Sequence, residues 1–438
     1  MMHKVKLGVL CLARTTFDHH AALELYRQRQ AELARDQRVD WTFIEGLVIE
    51  PDEAEAAART LVSAHVDGVV VISGTFHLGH LALIVDQIVQ RPILLWGWTE
   101  LPYDGGKIRL NSVCGVNLNA SNLYKSGNDT YHACFGDLDT DWVQALKVKA
   151  TLAKAHLGLF GFRAHGFFNL AFDELRTYRE TGLLLDHYEL TDLWQASSTP
   201  EQLGRQTEEV RSTFDCSGVT DRQVELVARL CLSAERFLRE QKLDAVAVRC
   251  WPEFAGTYGI SPCAMMSLLQ ARGRVLACEG DVEGAITMLA CQALGAATPF
   301  LADLSQVNFE EDFALMWHCG VAPASLWDGR CVRSLDTYFA GGKGVTADFV
   351  LREGEINVVR FDSARGRTRM FLAAGQALPM EKQLKGTYGK VRFSCSVREL
   401  VQQVVDHGVA HHVAYVYGDY RPSLRLLAKL MNWDVIEC

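Results

Sequence analysis

Residues 5–12 read VKLGVLCL, and two further apolar runs follow at residues 68–72 (GVVVI) and 93–96 (ILLW). Runs of this length that are rich in β-branched residues predict buried strands. The segments around them predict a further strand over residues 41–48 and two amphipathic helices over residues 20–35 and 52–65. Because buried strands that alternate with helices form parallel sheets covered on both faces, this stretch predicts an α/β domain.

A second α/β unit is predicted to begin after a helix over residues 139–155. Its strands are predicted over residues 157–161, 243–249 and 274–278, with a long helix over residues 220–241. From about Gly341 the apolar runs become short or alternating, which is typical of antiparallel strands. The strands predicted there cover residues 348–351, 356–361, 369–373, 391–396, 412–417 and 435–438, and the helices cover residues 397–406 and 423–431.

The predicted fold class is therefore α/β, with two N-terminal parallel-sheet, Rossmann-like domains followed by a C-terminal antiparallel β-rich domain. We place the domains at residues 1–140, 141–335 and 336–438. The second domain would carry the carboxylates of a metal site, and the third would carry a pair of adjacent histidines.

Composition excludes several classes of partner. The chain has 438 residues, of which 49% are hydrophobic, and a formal net charge of −9. Its densest basic cluster is short, Arg365, Arg367 and Arg369, so neither nucleic acid nor a membrane is expected as a partner. No apolar run approaches the roughly 20 residues that span a bilayer, and no cleavage site follows the first apolar run, so we expect a cytoplasmic protein.

The thirteen cysteines include no CxxC pair. Many of them lie in apolar runs, namely Cys11, Cys250, Cys263, Cys278 and Cys291. A free cysteine packs as a small hydrophobic residue, so we expect buried reduced thiols rather than disulfides or a zinc cluster.

Side chains that bind metals occur at or just after apolar runs in four places: CEGD at 278–281, FLAD at 300–303, WHCG at 317–320 and AHHV at 410–413. Open α/β sheets bind ligands at the carboxyl ends of their strands, so Glu279 and Asp303 are predicted to converge at one edge of the second sheet. Taken alone, Glu279 also suits the first turn of a helix, and Asp303 suits a surface turn.

Histidines complete this group. His318 ends an apolar run, where a hydrogen-bonded core residue is the alternative to a ligand. Adjacent strand residues face opposite sides, so only one of His411 and His412 is expected to reach the site. Two carboxylates with one or two imidazoles suit Mn²⁺, Mg²⁺ or Co²⁺.

These four segments, together with WPEF at 251–254, GTF at 74–76 and RLN at 109–111, resemble the L-fucose and L-arabinose isomerases in their order along the chain. The resemblance implies a metal-dependent aldose–ketose isomerase that works through an ene-diol, with Mn²⁺ or a similar ion bound by Glu279, Asp303 and His412. Glu279 and Asp303 would also form the acid/base pair. His318 matches an extra histidine of the arabinose branch, whereas Asp303 matches the fucose branch, so the sugar stays open.

The resemblance also implies a homo-oligomer, a trimer or hexamer, with active sites between subunits. The first domain of a neighbouring chain would then contact the monosaccharide, and the substrate-binding residues predicted on this basis are Thr75, Phe76, His77, Arg109 and Asn111. His318, Glu253 and His411 are candidates for supporting roles, and Glu253 equally suits a structural salt bridge.

Two other functions fit the same sequence. A non-catalytic sugar-binding or sensor protein is one, because the first domain also resembles periplasmic-binding folds. An isomerase of a 6-substituted, anionic aldose is the other. In that case Arg14, Arg109 or Arg163 would pair with the anion, although solvated arginines are the alternative.

Overall fold

The computed structural model describes residues 4–338 and 342–438; the predicted start of the β-rich region at Gly341 lies outside them. The chain forms two compact units. The first extends to Ala150 and includes Lys429–Asn432, and the second contains Thr151–Ala428 and Trp433–Cys438. In the described ranges, no helix is long and apolar enough to cross a membrane.

The first unit is built on a parallel sheet in the order β2-β1-β3-β4-β5. The helices and strands up to the first boundary are β1 (Val5–Leu12), α1 (His19–Leu33), β2 (Val39–Phe43), α2 (Pro51–Ser63), β3 (Gly68–Ser73), α3 (His80–Val89), β4 (Ile93–Gly97), α4 (Ser112–Lys125), β5 (His132–Phe135) and α5 (Thr140–Leu152). Every residue of β3 is buried, as its continuous apolar run predicts. The predicted first parallel sheet is confirmed.

The second unit begins with a parallel sheet in the order β7-β6-β8-β9. Its elements are β6 (His156–Phe160), α6 (Glu174–Thr181), β7 (Leu184–Tyr188), α7 (Pro200–Thr213), α8 (Asp221–Glu240), β8 (Ala245–Val248), α9 (Cys263–Ala271), β9 (Val275–Ala277) and α10 (Val282–Ala293). Because β9 ends only a few residues before α10 begins, a tight turn at residues 278–280 joins them.

The rest of the second unit is a nine-stranded, mainly antiparallel sheet in the order β12-β13-β16-β11-β10-β17-β14-β15-β18. Its elements are β10 (Phe300–Asn308), β11 (Phe313–His318), β12 (Ser334–Asp336), β13 (Thr346–Val350), β14 (Gly354–Ala364), β15 (Arg367–Leu378), β16 (Thr387–Phe393), α11 (Val397–Asp406), β17 (His412–Tyr417), α12 (Arg421–Met431) and β18 (Asp434–Glu437). An additional pairing of β15 with β16 closes the six strands from β16 to β15 into a barrel. The predicted fold class is confirmed.

The position of β10 differs from the sequence-based expectation. We expected the apolar run before Asp303 to return to the parallel sheet that contains β9, but β10 pairs antiparallel with β11 and β17. The reason is that an apolar run predicts a buried strand without specifying its neighbours. The proposed domain boundary at residue 335 stays a prediction, but the barrel already begins at Phe300.

The cysteine expectation is correct for the five residues named above, which are buried and free. It is wrong for Cys395 and Cys438, which form a disulfide across a sequence separation of 43 residues. Cys395 follows β16 and Cys438 follows β18, and both strands pair with β15. The sheet therefore brings together two cysteines that no local spacing motif connects.

Candidate active site

Glu279 lies in the turn between β9 and α10. Its backbone has φ 62°, a left-handed conformation that is uncommon for a residue with a side chain. Directly after the turn, Asp281 accepts a hydrogen bond from the Gly284 amide at 2.9 Å and so caps α10. The turn thus presents Glu279 at the carboxyl end of a strand, where ligand-binding residues of α/β sheets are found.

Asp303 and His412 face each other on neighbouring strands, as register partners of β10 and β17. His412 Nε2 lies 3.7 Å from Asp303 Oδ1 and 3.2 Å from Glu279 Oε2. The structure therefore brings the three predicted metal ligands together, although they come from three separate parts of the chain. Their roles as ligands stay a prediction.

Asp281 orients the His412 ring. His412 Nδ1–H donates to Asp281 Oδ2 at 2.9 Å, which leaves the Nε2 lone pair directed at the carboxylates. Arg360 holds the same carboxylate with two hydrogen bonds, one of them 3.0 Å long, and all three side chains are buried. Sequence reasoning missed Asp281, although an acidic residue two positions after Glu279 was the available signal.

The pKa values of this group follow from its partners. Burial raises the pKa of Glu279, but the neighbouring imidazoles of His411, His412 and His318 lower it by more, to about 2. Burial also raises the pKa of Asp281, and Arg360 and His412 lower it to well below its usual range. For His412, burial lowers the pKa, but Asp281 and Glu279 raise it more. Both carboxylates are therefore ionised at neutral pH, and a metal ion would compete with a proton at His412 Nε2.

Three buried polar atoms of this group have no hydrogen-bond partner in the described part of the chain: Asp303 Oδ1, His318 Nε2 and His412 Nε2. Buried polar atoms are nearly always paired, so such a cluster is suited to holding a bound ligand. Donor atoms of Glu279, His318 and His412 all lie within 4.8 Å of one another, as do those of Asp303, His411 and His412. Carboxylate oxygens and imidazole nitrogens at this spacing fit a divalent cation.

His318 differs from His412 in the nitrogen that it presents. Its Nδ1 accepts a hydrogen bond from the Cys319 amide at 2.8 Å, so the neutral ring carries its proton on Nε2. The ring centres of His318 and His412 are 5.4 Å apart. A neutral His318 would therefore present an N–H to the site, and its role as a ligand or as a supporting residue stays a prediction.

His411 also reaches the site, so the expectation that only one of the two adjacent histidines does so is wrong. His411 Nε2 lies 3.6 Å from Glu279 Oε2. The strand begins at His412, and the alternation of side chains therefore does not apply to the residue before it. Asn169 Nδ2 donates to His411 Nδ1 at 3.0 Å and holds the ring in place.

Glu253 pairs with Arg249 at 3.0 Å, which is the salt bridge that the sequence left open. Its other carboxylate oxygen is buried and has no partner in the described residues. Beside the cluster lies a cavity of about 380 Å³. Its lining is mainly apolar, with Asn169, Asp303 and His411 among the polar side chains, and its volume suits a small molecule.

The five predicted substrate-binding residues lie in the first unit. Thr75 and His77 are buried, and His77 accepts a hydrogen bond from Asn119 at 2.8 Å. The Arg109 guanidinium donates twice to Asp18. Phe76 is partly buried, and Asn111 precedes α4 with φ 54°. Their contact with a sugar on a neighbouring chain stays a prediction.

Comparison with known proteins identifies the family. A model of the fucose/sulfoquinovose isomerase N-terminal domain matches residues 8–146, and one of the L-fucose isomerase C-terminal domain matches residues 326–438, together more than half of the chain. The chain belongs to the L-fucose/L-arabinose isomerase superfamily. As a member it is an aldose–ketose isomerase.

Similar proteins include two relatives that match almost end to end. They are the sulfoquinovose isomerases of Priestia aryabhattai, 27% identical over 97% of each chain, and of Alkalicoccus urumqiensis, 28% identical over 98% of each chain. Among solved structures, a periplasmic solute-binding protein from Actinobacillus succinogenes with bound D-allose covers 56% of this chain and 78% of its own, with 11% identity and a TM-score of 0.18. That score is too low to indicate a shared fold.

Proposed function

We propose that this isomerase binds a divalent metal ion through Glu279, Asp303 and His412 and converts its aldose through an ene-diol. The observation that carries the proposal is the convergence of these three side chains, with Asp303 Oδ1 and His412 Nε2 buried and without a hydrogen-bond partner in the described residues. Mn²⁺ suits the mixed oxygen and nitrogen donors best, with Mg²⁺ or Co²⁺ as alternatives. When bound, the ion supplies positive charge for the oxygens of the reacting carbon pair.

The carboxylates supply the proton transfers. Conversion of an aldose to a ketose takes a proton from C2 and returns one to C1, so it needs a base and an acid beside these carbons. The low pKa of Glu279 keeps it ionised and able to accept a proton at neutral pH. In this proposal Glu279 and Asp303 form the acid/base pair, and His318 Nε2–H donates to a sugar oxygen.

The names of the relatives support an anionic substrate. Both are called sulfoquinovose isomerase, and sulfoquinovose is glucose that carries a sulfonate at C6. We therefore propose an aldose with an anionic substituent at C6 as the substrate, rather than a neutral hexose. We also propose that the chain acts as a trimer or hexamer in which a neighbouring chain contributes first-unit residues to the sugar site.

The test combines metal content with turnover. Glu279→Gln and Asp303→Asn should each lower kcat for ketose formation from sulfoquinovose by at least about 10²-fold, because each removes a proton-transfer group. Both should also lower the amount of Mn²⁺ that is retained on dialysis. Asp221→Asn is the matched control, because its side chain is 94% exposed on α8. Near-normal turnover and unchanged metal content in both site variants would show that Glu279 and Asp303 neither bind the ion nor transfer the proton.

A further inference from the structure

The loop after β6 packs directly against the turn that carries Glu279. The Ala164 amide donates to the Glu279 carbonyl oxygen at 2.8 Å. A β-carbon at Gly280 would lie 2.6 Å from Arg163 Cα and 2.4 Å from the Phe162 carbonyl oxygen, which is too close for any side chain. The backbone of Arg163 is therefore fixed beside the metal-site turn.

The same loop contacts the site a second time, through its far end. The Phe167 ring lies 5.1 Å from the ring of His411 and 6.1 Å from that of Trp251. Trp251 Nε1–H donates to Glu279 Oε1 at 3.3 Å. One end of the loop thus rests on the backbone of the Glu279 turn and the other on side chains beside Glu279, so a residue on the loop lies next to the reaction site.

Arg163 is that cationic group, and it has no acidic partner within ion-pair distance in residues 4–338 and 342–438. Its guanidinium lies 4.7 Å from the Phe162 ring centre and 5.5 Å from that of Phe168. Three other arginines named above are neutralised: Arg109 pairs with Asp18, Arg249 with Glu253 and Arg360 with Asp281. Arg163 therefore offers a free positive charge.

The two aromatic rings are unusually exposed for their size, with 47% of Phe162 and 75% of Phe168 accessible. Aromatic faces attract a guanidinium and restrict its motion, so less conformational entropy is lost when the guanidinium binds an anion. Exposed apolar side chains around a polar group are also typical of a ligand-binding surface.

We propose that Arg163 binds the anionic substituent at C6 of the sugar, with Phe162 and Phe168 holding its side chain in position. The inference rests on the proposed function, because it assumes that C1 and C2 react at the Glu279 group. A guanidinium presents parallel N–H donors that match two oxygens of a sulfonate or a phosphate. Arg163 is then a specificity-determining residue, and it takes no part in proton transfer.

The test compares three aldoses that differ at C6: sulfoquinovose, glucose 6-phosphate and glucose. The readout is the ratio of kcat/KM for each anionic sugar to kcat/KM for glucose, measured with Mn²⁺. Arg163→Gln should lower the sulfoquinovose ratio by about 10- to 150-fold, the range for a hydrogen bond to a charged group. Arg163→Lys keeps the charge without the paired donors and should give an intermediate ratio. Arg179→Gln, on α6 with 73% of its side chain exposed, is the matched control and should leave the ratio unchanged.

Calorimetric binding of sulfoquinovose to the Mn²⁺-loaded protein separates this inference from the proposed function. Suppose that the wild type turns over none of the three sugars, but that sulfoquinovose binds more weakly to Arg163→Gln than to the wild type. That result would support the anion site and contradict the isomerase mechanism. An unchanged ratio and unchanged binding in Arg163→Gln would overturn the anion site, even if turnover is normal. If Arg163→Gln lowers the ratio for glucose 6-phosphate alone, Arg163 is still the anion site, but the anion that it binds is a phosphate rather than a sulfonate.

Discussion

Asp281→Asn is the change that tests most sharply how the site is supported. It removes one negative charge beside Arg360, and the side chains of Asp281 and Arg360 are both 0% exposed. An arginine does not lose its proton inside a protein, so the variant would keep a buried positive charge. The remaining acidic neighbour on α10 is Glu283, whose Oε2 lies 3.7 Å from Arg360 Nη2.

Breaking a buried ion pair from one side costs about 3–5 kcal/mol of unfolding free energy. Glu283 would partly compensate by ionising, and asparagine still caps a helix, so we expect a loss near 3 kcal/mol. The same change weakens the orientation of the His412 ring. Loss of the partner that orients a ligating histidine typically lowers metal affinity by about 10- to 100-fold, so the Kd for Mn²⁺ should rise by that factor.

Urea unfolding followed by tryptophan fluorescence measures the first effect, and Mn²⁺ titration measures the second. Asp434→Asn is the control, because its pair with Arg367 is 3.0 Å long but more than half exposed on both sides, where pairs contribute about 0–1 kcal/mol. Adding Arg360→Met to Asp281→Asn removes the stranded charge and should restore part of the stability. A loss below about 1 kcal/mol, or additive effects in the double variant, would refute the buried pair as the support of the site.

Three further predictions concern the ion, one buried acid and one histidine. Dialysis against EDTA should abolish ketose formation, and Mn²⁺ should restore it better than Ca²⁺, because a small site of carboxylates and imidazole suits a six-coordinate ion; full activity after dialysis would contradict metal dependence. Burial raises the pKa of Glu283 to about 7, so between roughly pH 4.5 and pH 7 the unfolded chain binds fewer protons and the folded protein loses stability as pH rises. The free energy of unfolding of Glu283→Gln, measured in urea, should therefore rise relative to that of the wild type by up to about 1.4 kcal/mol for each pH unit across that window. A difference between the two proteins that is independent of pH would count against a protonated Glu283. His318→Leu should lower kcat by about 10²-fold at unchanged Mn²⁺ content, and His318→Gln, which keeps an N–H donor, should recover part of the loss; equal activity of the two variants would argue against a donor role.

The two parallel sheets can be predicted from the sequence because their strands are continuous apolar runs with helical segments between them. β3 is the clearest case, since its first five residues, GVVVI, include no polar side chain. β10 has the same apolar start, yet it belongs to the barrel. Its neighbour β17 begins at His412, far along the chain, and periodicity contains no information about such distant pairings.

Part of the candidate site follows from the sequence in the same way. Glu279, Asp303 and His412 stand at or beside strand ends, and their order resembles that of a known family. Asp281 does not stand out, because its local role as a helix cap explains an acid at that position. Its second role depends on Arg360, 79 positions later, and that contact exists only in the folded barrel.

The position of β17 between β10 and β14 has a consequence for how the molecule assembles. Asp281 and His412 lie 131 positions apart, so the contact between them closes a long loop, and such contacts form late in folding. Until β17 inserts, β10 and β14 each present an unpaired edge, the kind of edge that pairs with other chains. Insertion of β17 covers both edges and delivers His412 to the carboxylates in one step. In the proposed role of these residues, a divalent ion would therefore find its complete binding group only in chains in which the barrel has closed.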